Sequence, residues 1–136
     1  MNDILTAKIS TIKNCLTRIK EKTNLNPESI ENDFDIQDIF VLNLQRAIQA
    51  TIDISNYIIK ENNLDLPKSY KNAFEILYKH SFIDKSIKDK MIKMAGFRNI
   101  AIHDYQTINI EILKSILSNN LEDLQDFYIQ IIEKQD

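Results

Sequence analysis

The chain has 136 residues, 43 % hydrophobic and 27 % charged, a balance that fits one folded domain over residues 1–136 and excludes an intrinsically disordered chain. One glycine and two prolines leave too few turn residues for a sandwich, barrel or meander of many short strands. A formal net charge of −3 excludes a protein that holds nucleic acid by bulk positive charge, so any polyanion contact must be local.

Leu5, Ile9, Ile12, Leu16 and Ile19 recur at alternating spacings of four and three, which predicts a helix over residues 3–22 with one narrow apolar stripe. The first residues lack a basic segment followed by an apolar stretch, and charges interrupt every apolar run before it reaches spanning length; the expectation is a soluble, cytoplasmic protein. Cys15 stands alone, cannot form an internal disulfide, and reads as a small core hydrophobe.

Asn26-Pro27-Glu28 is a helix start, with proline where its missing N–H costs nothing. The second helix is expected to run to about Asn62 with a kink near Asn32-Asp33. Val41, Leu44, Ile48, Ile52, Ser55 and Ile59 share one face, and Gln49, Asp53, Asn56 and Lys60 another. Ile39, Phe40, Leu42, Ile54 and Ile58 exceed what one stripe needs, so part of this surface is expected at a dimer interface. After a break through Asn62–Pro67, a short helix over 68–79 carries Tyr70, Phe74 and Leu77, with His80 at its C-terminal end.

The next helix starts near Asp84 with Ile87, Met91 and Met94 at helical spacing and runs into Gly96-Phe97-Arg98-Asn99-Ile100-Ala101-Ile102-His103-Asp104-Tyr105. A final helix is expected over 109–134, burying Leu113, Ile116, Leu117, Leu124, Phe127 and Ile131. These pieces predict an all-α, antiparallel up-and-down bundle of four main helices and a short fifth.

Continuing the stripe of Ile87, Met91 and Met94 by four residues reaches Arg98. An always-charged side chain in phase with the core is costly unless it is paired or faces a cleft. Gly96 lies on the neighbouring stripe with Ile92, Asn99 and His103, and a helical glycine suggests that something approaches closely there. Arg98 and His103, five apart, are separated by about 140° around a straight helix. They can act together if the helix ends near His103 and frees its imidazole, or if each chain of a two-fold dimer supplies an Arg and a His, the arrangement favoured here. Such a set suits RNA cleavage without metal: neutral imidazole takes the 2′-OH proton, imidazolium protonates the 5′ leaving oxygen, and the guanidinium holds the phosphoryl oxygens. Two histidines and one cysteine, with no HExxH-like spacing, supply no recognisable metal site.

The segment from Gly96 to Tyr105 resembles the Arg-x4-His-x-Tyr signature of HepT-like toxins of the HEPN superfamily. Helix order, the segment Gln45–Ile54 and the leucine-rich final helix extend the resemblance over nearly the whole chain. It implies the homodimeric ribonuclease toxin of a type VII-like toxin–antitoxin pair, with Arg98, His103 and Asn99 at the catalytic centre. It also implies an MNT nucleotidyltransferase antitoxin that moves AMP from ATP to Tyr105; ATP would be the partner's substrate, and this chain would need no cofactor. Asn99 would either orient a phosphate or hold the helix end. Asp53 matches an acidic position of the family's second helix and is either the partner of Arg98 or an exposed helix aspartate. The alternative function is a non-catalytic acceptor or substrate-binding subunit of a nucleotidyltransferase complex. A plain helical scaffold fits less well, because a buried cation serves it poorly.

Overall fold

Side-chain caps decide where the helices begin. In the computed structural model, which describes residues 2–135 except the side chain of Gln106, Asn2 accepts the Leu5 N–H at 2.9 Å and opens α1 (Asp3–Thr23). Asn26 accepts the Glu28 N–H at 3.1 Å and opens α2 (Pro27–Asn32). The expected kink is a complete break. Asp33 is extended at φ −136°, and its carboxylate accepts the N–H groups of Asp35 and Ile36 at 2.9 and 3.3 Å, starting α3 (Phe34–Glu61). An aspartate that satisfies two free donors favours a new helix over continuation of the old one. Ser69 caps α4 (Tyr70–Lys79) and Asp84 caps α5 (Lys85–His103).

A 3-10 turn (Tyr105–Thr107) leads to α6 (Ile110–Asn119) and α7 (Leu121–Gln135). The single final helix expected from the sequence is thus two. Asn120, at φ −120° and ψ −4°, leaves the helical region, and its side-chain amide donates to Asp123 at 3.1 Å. Asp123 is buried and also faces Lys90 at 3.4 Å. The Asn119-Asn120 pair is poor in a helix interior and good at a cap. The break lets α6 lie on α2 while α7 packs against α1, α3 and α5.

The core centres on α3, which α1, α2, α4, α5 and α7 all contact. Buried side chains therefore cover more than half of its circumference, leaving one stripe through Leu42, Arg46, Asn56 and Lys60 exposed. Phe40, Ile54 and Ile58, read from the sequence as candidate interface residues, are at most 1 % exposed within this one chain. Of that group only Leu42 is exposed, and Ile39 is half-buried. Phe74 and Phe127 meet edge to face, centroids 6.1 Å apart, tying α4 to α7. Cys15 is buried as expected, and burial raises its thiol pKa against the opposing charges of Arg46 and Arg18. His80 is the exposed C-cap of α4.

Lys114 on α6 ties that helix to α2 through Glu31 at 2.9 Å and Glu28 at 3.2 Å. Its hydrogen bond to Glu31 holds the ammonium protonated well above the usual lysine range, and the same bond lowers the Glu31 carboxyl. The depressed acid contributes stability that is fully present above the ordinary glutamate value of 4.5 and is lost as pH falls through the lowered one. Lys114→Met is therefore expected to shrink the stability difference between pH 7 and strong acid, read from urea unfolding at each pH. An unchanged difference would show that the cluster does not couple α2 to α6.

Candidate functional site

The face of α5 that buries Ile87, Met91 and Met94 brings Arg98 against α3. One Nη of its half-buried guanidinium donates to Gln49 Oε1 on α3, and the other donates to Asn99 Oδ1 at 2.7 Å. The Nε is buried without a hydrogen-bond partner among the described residues. Gln49 in turn donates from Nε2 to Asp53 at 2.8 Å, and the other Asp53 oxygen receives Lys8 Nζ at 3.0 Å. A polar chain Lys8, Asp53, Gln49, Arg98, Asn99 thus crosses α1, α3 and α5.

Asp53 does not pair directly with Arg98; Gln49, one turn earlier on α3, stands between them. A carboxamide presents an acceptor and a donor at once, so it can take a guanidinium hydrogen while giving one to a carboxylate. Helical spacing alone puts Gln49 on the face of Asp53 and gives it no role. The signal was that i,i+4 pairing of an amide with an acid.

His103 is the last residue of α5 and is exposed. Because α5 stays helical through it, His103 leaves the axis about 140° from Arg98. The helix end does not itself bring the two together. Ile100 and Ile102, just before His103, are 56 % and 52 % exposed.

Beyond the C-cap Asp104 (φ −152°, ψ 68°), the chain turns and sends Tyr105 to the start of α3. Its hydroxyl donates to Asp38 Oδ1 at 2.6 Å, with Gln37 Oε1 a more distant acceptor at 3.4 Å. Burial first, then the hydrogen bond to Asp38 and its charge, raise the phenol above its ordinary range. A groove of about 480 Å³ is lined by Tyr105 together with Phe34, Gln37, Asp38, Ile108, Ile110 and Leu113. A larger cavity of about 590 Å³ between the α4–α5 turn and α7 is lined by none of the predicted site residues.

Among the described residues no group of three His, Cys, Asp or Glu side chains is placed to hold a metal, and no helix is long and apolar enough to cross a membrane. At Gly96 the neighbour is Tyr70: a methyl group there would sit 3.7 Å from the tyrosine hydroxyl, an ordinary contact. The close approach expected from the sequence is therefore not found at Gly96, and the space there admits a side chain. Gly96→Ala is expected to stabilise the chain by about 1 kcal/mol through helix propensity, seen as a higher urea midpoint at unchanged slope; a lower midpoint would mean this face tolerates no methyl group.

A family model described as ribonuclease HepT-like matches residues 12–131. The mRNA nuclease HepT of Shewanella oneidensis is 39 % identical over 135 residues, 99 % of this chain and 100 % of that protein. The tRNA nuclease HepT of Aphanizomenon flos-aquae is 29 % identical over 108 residues, 78 % of this chain and 72 % of its own length. Among solved structures, the tri-AMPylated HEPN toxin of Shewanella oneidensis in complex with MNT antitoxin matches with a TM-score of 0.92 and 39 % identity, covering 98 % of this chain and 99 % of that one.

Proposed function

The chain belongs to the HepT-like ribonuclease family, and on that premise we propose that it is the toxin of a toxin–antitoxin pair, an endoribonuclease acting through Arg98 and His103. The observation that carries this reading is a permanently charged guanidinium kept half-buried by Gln49 and Asn99 on the helix that ends in an exposed His103. An ion pair with a carboxylate would neutralise the arginine. Here both acceptors are uncharged amides, which fix the fork and leave its positive charge for an anion.

The roles follow from chemistry. A neutral His103 removes the proton of the 2′-OH, the resulting oxygen attacks the adjacent phosphorus, and a protonated His103 delivers a proton to the departing 5′ oxygen. The product is a 2′,3′-cyclic phosphate. Arg98 holds the non-bridging oxygens as charge builds on them, and Asn99 acts as its positioning partner. Because Arg98 and His103 lie on different sides of one α5, a cleft between two copies of the chain is the arrangement that lets them meet. The exposed Ile100 and Ile102 beside His103 offer apolar surface for such a contact.

Tyr105 is the proposed acceptor of AMP, moved from ATP by a nucleotidyltransferase antitoxin. Its hydroxyl is reachable, the residue being 37 % exposed beside an open groove, and the Shewanella HEPN toxin is AMPylated in its complex with MNT. An added nucleotide brings negative charge two residues from His103, where RNA phosphate would otherwise approach.

The test is incubation of the unmodified chain with labelled tRNA and mRNA in EDTA beside Arg98→Ala and His103→Ala. Wild-type cleavage to cyclic-phosphate ends, reduced at least about 100-fold in each variant, is expected. Equal cleavage by the variants would sink the assignment. No cleavage by a folded wild-type dimer would favour the acceptor-subunit function instead.

A further inference from the structure

We propose that Asp38 is the proton acceptor in the transfer of AMP to Tyr105, a catalytic group contributed by the chain that receives the nucleotide. This rests on the reading of Tyr105 as the modified hydroxyl. Asp38 Oδ1 lies 2.6 Å from the phenolic oxygen, which donates its hydrogen to it. Such a distance is that of a charge-assisted O–H···O⁻ bond, already aligned for transfer.

The chemistry needs such a group. As the Tyr105 oxygen bonds to the α-phosphorus of ATP, the bond from that phosphorus to the oxygen bridging to the β-phosphate breaks. Pyrophosphate leaves with the electron pair, and the phenolic proton passes to Asp38. The hydroxyl sits in an environment that disfavours its own ionisation, by burial and by the adjacent carboxylate, so the oxyanion is not ready in advance and the proton must be taken as the P–O bond forms. Gln37, the second acceptor within reach at 3.4 Å, is a neutral amide and cannot take it.

Asp38 and Tyr105 are the ionisable side chains among the described residues that line the groove; the other walls are Phe34, Gln37, Ile108, Ile110 and Leu113. The charged groups on surrounding elements, Asp35 on α3, His103 and Asp104 before the turn, and Glu111 and Lys114 on α6, lie outside that lining. Lys114 is engaged with Glu28, Glu31 and Glu111. The proton's destination at Tyr105 is therefore Asp38.

The experiment measures single-turnover AMP incorporation from ATP and Mg²⁺ by an MNT nucleotidyltransferase into wild type, Asp38→Asn, Asp38→Glu and Tyr105→Phe. Intact mass and peptide mapping give the extent and position, and circular dichroism verifies folding. Asparagine keeps an oxygen acceptor for the hydroxyl but no basicity. Asp38→Asn is expected to slow incorporation about 100-fold, with a residual rate that climbs with pH as tyrosine ionises, a dependence the wild type does not share. Asp38→Glu should recover much of the rate. Equal rates for wild type and Asp38→Asn overturn the proposal while leaving Tyr105 as acceptor, and so does a slow variant that keeps the wild-type pH profile. Wild type that gains no AMP, or gains it equally in Tyr105→Phe, overturns the reading of Tyr105 itself and this inference with it.

Discussion

A guanidinium that cannot lose its charge, half-buried where α5 meets α3, constrains everything around it. Hydrogen bonds to charged groups contribute about 1.5–3 kcal/mol each, and leaving such a group unpaired costs at least as much. Arg98 meets this demand at its two Nη groups, with Gln49 and Asn99, and leaves Nε without a partner among the described residues. Gln49 must then hold its amide in one sense, oxygen toward Arg98 and nitrogen toward Asp53, and Asp53 is anchored by Lys8 from α1. The position of Arg98 thus depends on the seating of α1 on α3. Packing far from the proposed site and the direction of its cation are one problem.

The neutral amide has a second consequence. Had Asp53 stood one turn earlier, in Gln49's place, it would have formed a direct ion pair and cancelled the field that an incoming phosphate feels. By placing the carboxylate one helical turn further on, α3 orients the cation while the charge remains available. This matters in a chain of net charge −3, which offers a polyanion no general attraction. Local positive charge has to be preserved where it exists.

The apolar periodicity of α1, α4 and α5 is sufficient to place those helices, and it puts Arg98 in phase with the core. It failed where one polar residue outweighs a run of periodic ones. Asp33 and Asn120 each stop a helix by capping, and each lies inside an apolar pattern that continues on both sides. Periodicity also could not say what covers a helix: Phe40, Ile54 and Ile58 look like surplus surface until α3 is seen to be wrapped by its own chain. Gln49 passed without a role because an uncharged side chain at helical spacing raises no energetic objection. Asp38 and Tyr105 are 67 residues apart, and their meeting depends on both the Asp33 break and the turn after His103, neither of which is a pattern in the chain.

That turn separates two proposed activities that the motif places almost side by side. Arg98 engages α3 at Gln49, whereas Tyr105 engages it at Asp38, eleven residues earlier and about 16 Å away along the helix axis. This exceeds the screening length of about 8 Å at physiological ionic strength. Within one chain, a phosphate carried on Tyr105 would therefore act weakly on the Arg98 fork, and the tie through Gln49 gives it no mechanical route there either. His103 is different, being two residues from Tyr105 at the end of α5. If modification silences the enzyme, the physics places its effect at the histidine, by occupying the space through which RNA reaches the imidazole and by adding like charge where phosphate would pass. The guanidinium of the modified chain keeps its setting on α3, and the proton-transfer group is the one denied its substrate.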